Sequence, residues 1–131
     1  MNEVFHTPVL LKEVIESLNV EKGKKYIDAT IGGGGHSFEI LKRGGVVLGI
    51  DCDREAIGYV SGRWKIESRR WNIREENLIL VKGNFGNIDK IAHENGFDHV
   101  KRGYGKISGI VFDLGVSSHQ LETSERGFSF Q

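Results

Sequence analysis

Lys24 to Gly45 reads KKYIDATIGGGGHSFEILKRGG. The segment KKYIDATIG is a short apolar strand that runs into four consecutive glycines, Gly32 to Gly35. HSFEILKRGG then has the pattern of a helix closed by Gly44 and Gly45. Glycine loses more backbone freedom on ordering than any other residue, so a run of four needs a reason. A loose turn is one reason, and a backbone approached closely by a bound ligand is the other.

The same unit repeats outward from this stretch. VVLGID (46–51) is a second buried strand, and DREAIGYVSGRWKI (53–66) follows as a helix weakened by Gly58 and Gly62. A charged stretch without clear pattern, ESRRWNIREEN (67–77), leads to the strand LILVKGNF (78–85). NIDKIAHENGF (87–97) is a short helix and ISGIVFDLGV (107–116) a fourth apolar strand. Ahead of them all, HTPVLLKEVIESLNV (6–20) is an amphipathic helix, with Thr7 at the N-cap, Pro8 at the first turn, and a stripe of Leu10, Leu11, Val14, Ile15 and Leu18 that reads as packing. The tail SSHQLETSERGFSFQ (117–131) has no period and reads as loop. The strands are continuous apolar runs, which is the signature of a parallel sheet covered on both faces. The expected fold is α/β and Rossmann-like: four parallel strands with flanking helices and a ligand at the carboxyl ends of the strands.

Composition narrows the class. With 131 residues the chain suffices for one small domain, and 18 basic against 18 acidic residues give no global case for nucleic-acid binding. No segment is long and apolar enough to span a membrane, and the N-terminus lacks the pattern of a secretory signal. The single cysteine, Cys52, has no internal disulfide partner and points to a reducing cytoplasm. Flanked by acids, which raise a thiol pKa, it is expected to be inert. The histidines show no ligand spacing, so no metal is expected.

Each strand ends on a suggestive residue: Asp28 before the glycines, Asp51 and Asp53 in GIDCD, Asn84 and Phe85 in GNF, and Asp113 in FDLGVSS. The glycine run does not complete a dinucleotide fingerprint, because Ser37 stands at the third glycine position, and it lacks the lysine of a phosphate loop. Asp28 ahead of the loop also opposes a pyrophosphate. A cationic ligand suits it better, and S-adenosylmethionine carries both a sulfonium and an amino group. Asp51 is then placed to accept from the ribose hydroxyls, and Phe85 to pack on the adenine. Plainer readings stand beside these: Asp28 and Asp53 as turn or helix caps, Phe85 as core, His36 as a residue of a helix start. From Ser61 to Arg74 the chain holds Arg63, Lys65, Arg69, Arg70 and Arg74 against Glu67, with Trp64 and Trp71 between them. This stretch reads either as a grip on RNA phosphates and bases or as a solvated helix face anchored by its tryptophans.

The segments HTPVLLKEV, YIDATIGGGGHS, GIDCDREAI, GNF, FDLGVSSHQL and ERGFSF, in this order and spacing, resemble the N-terminal part of the MraW/RsmH family. These are S-adenosylmethionine-dependent methyltransferases that modify the exocyclic N4 of a cytidine in small-subunit ribosomal RNA. The resemblance runs from His6 to Phe130, and DLGVSS with the later RGFSF is its most specific part. It implies a class I methyltransferase fold and cofactor contacts at Gly34, Gly35, His36, Asp51, Phe85, Asp113 and Gln120. Gln120 rests on the resemblance alone. Asp113 is the candidate catalytic residue, as an acceptor near the amino hydrogens of the cytosine or in orienting the methionine end of the cofactor. The implied partner is 16S ribosomal RNA or the assembled small subunit, without membrane, and self-association into a homodimer is carried as an expectation.

Four features depart from the family pattern, one of them a longer and more basic stretch between Gly58 and Asn77. Cys52 stands where arginine is usual between the two aspartates, and His119 where proline is usual. The chain also stops after RGFSF, where family members continue into a helical insert and further strands. Residues 1–131 are therefore expected to be the N-terminal part of the methyltransferase domain, carrying most of the cofactor site, with RNA binding and turnover crippled and the fourth strand left as an apolar edge.

Overall fold

The four apolar runs form β1 (Lys25–Asp28), β2 (Val46–Asp51), β3 (Leu78–Lys82) and β4 (Ile107–Val111). The computed structural model describes residues 11–97 and 107–112 and pairs these strands in one parallel sheet, ordered β3-β2-β1-β4. Helix α1 covers 11–18 of the described residues. It is followed by α2 (Gly35–Lys42), α3 (Arg54–Arg70) and α4 (Ile88–Glu94), with single 3-10 turns at Glu75–Asn77 and Phe85–Asn87. The expected α/β Rossmann-like architecture is thus present. Thr7 and Pro8, the proposed start of the first helix, lie outside the described residues, as does the tail 117–131.

Successive side chains of a strand point to opposite faces, and the two cores follow that rule. Tyr26, Val47 and Leu78 face one way, where Ile15 of α1, Phe38, Ile40 and Leu41 of α2, and Val60 and Trp64 of α3 pack on them. Ile27, Leu48 and Ile50 face the other way, against Ile88, Ile91 and Ala92 of α4 and against Phe97. Both faces of β1 and β2 are therefore apolar, which is why those strands read as unbroken hydrophobic runs. The order reverses between β1 and β4: the chain winds from β1 out to β3 and returns to place β4 on the far side of β1. In open parallel sheets that switch point is the crevice where ligands bind, at the carboxyl ends.

α3 differs from its expected extent. It does not fade at its glycines or stop at Ile66 but runs to Arg70. Its inner face carries Val60, Trp64, Glu67 and Ser68, all buried. Tertiary burial of that face outweighs the low helix propensity of Gly58 and Gly62, about 1 kcal/mol each against alanine. Asp53 caps the helix, its side chain accepting from the Glu55 N–H at 2.9 Å, so the cap reading of that residue holds.

Candidate functional site

The glycine run is a tight, anchored loop. At its root the Ala29 N–H donates to the Val111 carbonyl (2.8 Å) and the Ile31 N–H to the Ile50 carbonyl (2.9 Å), so the chain leaving β1 is tied to both neighbouring strands. The Gly34 N–H donates to the Ile31 carbonyl at 2.8 Å, closing the turn, and the Gly34 carbonyl accepts the first helical bond from Phe38 N–H at 2.8 Å. Gly34 sits at φ 91°, in the left-handed region, and a Cβ there would stand 2.9 Å from the Phe38 ring. Both facts require glycine. Gly33 and Gly35 differ: a Cβ at either would meet no atom within 4 Å, and both are exposed. The loop thus presents bare backbone outward while Gly34 packs inward, and the N–H groups of the first turn of α2 open toward the same side.

Asp28 works from beneath. It is 1% exposed, accepting from the Ser37 hydroxyl at 2.7 Å and from the Thr30 N–H at 3.3 Å. Its carboxylate binds strand end, loop and helix start together, which favours the turn-cap reading over direct contact with a ligand. Nothing in the spacing of Asp28 and Ser37 signalled that pair.

Asp51 ends β2, the strand paired with β1. Its Oδ2 accepts from the Gly32 N–H at 3.0 Å and its Oδ1 from the Asp53 N–H at 2.9 Å. One partly exposed carboxylate therefore holds both the glycine loop and the turn into α3. A carboxylate has about four acceptor positions, so two remain for a ligand. Lys82 of β3 stands beside it in register.

Phe85 is not core. It is 44% exposed and lies edge-on to Phe112 with ring centroids 5.3 Å apart, although β2 and β1 separate their strands in the sheet. The Asn84 side chain fixes the turn by accepting from the Gly86 N–H at 2.7 Å. Phe112 was not singled out from the sequence; an aromatic next to Asp113 was the only signal.

Of the residues expected at the site, Gly34, Gly35, His36, Asp51 and Phe85 all lie at the carboxyl edge of the sheet, following β1, β2 and β3. His36 is buried in the first turn of α2. Asp113 and Gln120 lie outside the described residues.

The basic stretch resolves in favour of anchoring tryptophans. Trp64 is 3% exposed, stacks on Phe38 at 5.9 Å and donates through Nε1–H to the Glu75 carbonyl at 2.8 Å. Trp71 meets Phe38 and Trp64 at 6.3 Å each and lies under Lys42 Nζ at 4.9 Å. The lone acid, Glu67, bridges Arg63 (3.5 Å) and Arg70 (3.4 Å). The buried ring of Trp64 is not offered to a base.

Among the described residues, no helix is long and apolar enough to cross a membrane. Residues 3–131 match the model of the MraW methylase family. Two curated relatives are both named ribosomal RNA small subunit methyltransferase H. The protein from Carboxydothermus hydrogenoformans is 45% identical over 98% of this chain, and that from Lachnospira eligens 41% identical over 98%. In each case the match spans 37% of the relative's length. Among solved structures, a dimethyladenosine transferase from Plasmodium falciparum superposes on 92% of this chain and 37% of its own, with a TM-score of 0.57 at 18% identity, a likeness of fold.

Proposed function

The chain belongs to the MraW methylase family, and from that premise we propose that it is the N-terminal part of an S-adenosylmethionine-dependent methyltransferase. The proposed reaction methylates the exocyclic N4 of a cytidine in 16S ribosomal RNA, free or in the assembled small subunit, in the cytoplasm. Residues 1–131 then hold the first four strands of a sheet expected to have seven and most of the cofactor contacts, and the remaining strands and the helical insert belong to the longer family pattern. The observation that carries this reading is the joint between loop and acid. Asp51 accepts from the Gly32 N–H at the edge where Gly33 and Gly35 leave open space.

The residues present fit the cofactor. Asp51 retains acceptor capacity for the ribose hydroxyls, and acids at 51 and 53 put negative charge where a cationic ligand would lie. Phe85 offers an exposed aromatic ring for the adenine, and Gly34 to His36 bring backbone close to the methionine portion. Bound S-adenosylmethionine supplies an electrophilic methyl group on its sulfonium. The N4 lone pair is delocalised into the cytosine ring, so an acceptor for its amino hydrogens would help localise that pair; Asp113, just past the described end of β4, is proposed for this role. Gln120 is proposed as a further cofactor contact. The rest of the acceleration comes from positioning, on a base drawn out of any duplex, since N4 is otherwise engaged in pairing.

Isothermal titration separates this from other nucleotide readings. The chain should bind S-adenosylmethionine and neither NAD nor ATP. Asp51→Ala should weaken binding by roughly ten- to a hundredfold, as expected for losing about 1.5–3 kcal/mol of hydrogen bonding to a charged acceptor. Preferential NAD binding would overturn the reading. In the longer protein, Asp113→Ala that methylates at the wild-type rate would remove its catalytic assignment.

A further inference from the structure

Phe85 and Phe112 follow strands at opposite ends of the described sheet and still touch. β3 and β4, which lead into them, are separated by β2 and β1, three strand spacings or about 14 Å. Their rings nevertheless stand 5.3 Å apart with an interplanar angle of 81°, an edge-to-face pair. Two side chains therefore span the carboxyl ends of both central strands, on the face that carries α4.

The two residues are held differently. Phe112 is half-buried and packs on the core beneath α4. Phe85 is 44% exposed, and the turn that carries it fixes its backbone. The Gly83 N–H donates to the Asp51 carbonyl and the Asn87 N–H to the Asn84 carbonyl, both at 2.9 Å. The Asn84 side chain accepts from the Gly86 N–H at 2.7 Å. Gly83 lies close against α4, where a Cβ would stand 2.9 Å from the Ile91 side chain. The bond from Gly83 to Asp51 keeps this turn beside the carboxylate expected to hold the ribose. None of these bonds restrains the Phe85 ring. An exposed aromatic side chain has several rotamers open to it, and immobilising one on binding costs affinity. The contact with Phe112 removes that freedom before a ligand arrives. Because the rings meet edge to face, at least one face of Phe85 stays bare.

We propose that Phe112 is a positioning residue of the cofactor site, holding the Phe85 ring in the orientation that receives the adenine. Phe112 acts through Phe85 and stabilises the adenosine end of the ligand alone. The inference rests on the reading of this rim as an S-adenosylmethionine site.

Titration calorimetry on single and double variants tests it, with S-adenosylmethionine and with 5′-methylthioadenosine, which has the adenine and ribose but no amino acid. Phe112→Leu keeps an apolar side chain on the core and removes the ring. It should weaken both ligands by the same factor, roughly three- to tenfold. Phe85→Leu should weaken them at least as much. The double variant F85L/F112L should bind no more weakly than Phe85→Leu alone, because one residue acts through the other. Phe112→Tyr retains the ring and should bind within about twofold of wild type. A residue that only fills the core would lower the melting temperature and leave affinity unchanged. Should Phe112→Leu fail to fold, Phe112→Met takes its place in the cycle, since a flexible thioether fills irregular gaps. Unchanged affinity in the Phe112 variant, or losses that add in the double variant, overturn the proposal and leave the cofactor reading intact. A wild-type chain that binds neither ligand removes that reading and this inference with it.

Discussion

Gly34 and Gly33 stand side by side and should respond in opposite ways to a methyl group. Gly34→Ala forces a side chain into the left-handed region and against Phe38. It should cost about 1–3 kcal/mol and lower the melting temperature by several degrees. Gly33→Ala has neither problem, so its melting temperature should stay within about a degree of wild type, while affinity for S-adenosylmethionine falls because the new methyl group projects into the open side of the loop. Thermal melts and titration calorimetry on the two variants check both halves. Trp64→Ala removes a buried ring and its hydrogen bond to Glu75, with an expected loss of about 3–5 kcal/mol in urea denaturation. Trp64→Phe should recover a large part of it, since stacking on Phe38 is retained.

At the scale of elements, β1 and β2 each have a paired strand on both sides, while β3 and β4 are paired on one side among the described residues. Native-state hydrogen exchange should therefore show the amides of Tyr26, Ile27, Leu48 and Ile50 as the last to exchange, with β4 opening at lower free energy. Much of this layer was legible in the chain. Continuous apolar runs gave away a two-sided parallel sheet, and the glycine run marked the strand-to-helix turn, because both patterns are direct traces of burial and of backbone geometry. The length of α3 was not legible, because local propensity at Gly58 and Gly62 points one way and burial of Val60, Trp64 and Glu67 points the other, and burial appears only once the sheet exists. The same holds for the two tryptophans. Interleaved with arginines they suggest a nucleic-acid surface, and only the position of Phe38 on α2 reveals that they close an aromatic cluster. Asp51 was found for its place at a strand end, but its bond to Gly32 depends on the pairing of β1 with β2 and has no signature along the chain.

At the scale of the molecule, among the described residues α1, α2 and α3 cover one face of the sheet and α4 the other, and the strand order reverses between β1 and β4. Those expected ligand residues that are described, Gly34, Gly35, His36, Asp51 and Phe85, fall on a single rim because parallel strands all end on the same side. Asp51 gives that rim a further property. A single carboxylate clasps one amide of the loop and another at the mouth of the next helix. A diol that engages the same carboxylate must stiffen both segments together. Binding of S-adenosylmethionine should therefore be readable as slowed deuterium uptake at Gly32 and Asp53 in concert, and Asp51→Asn should uncouple the two even where the ligand still binds.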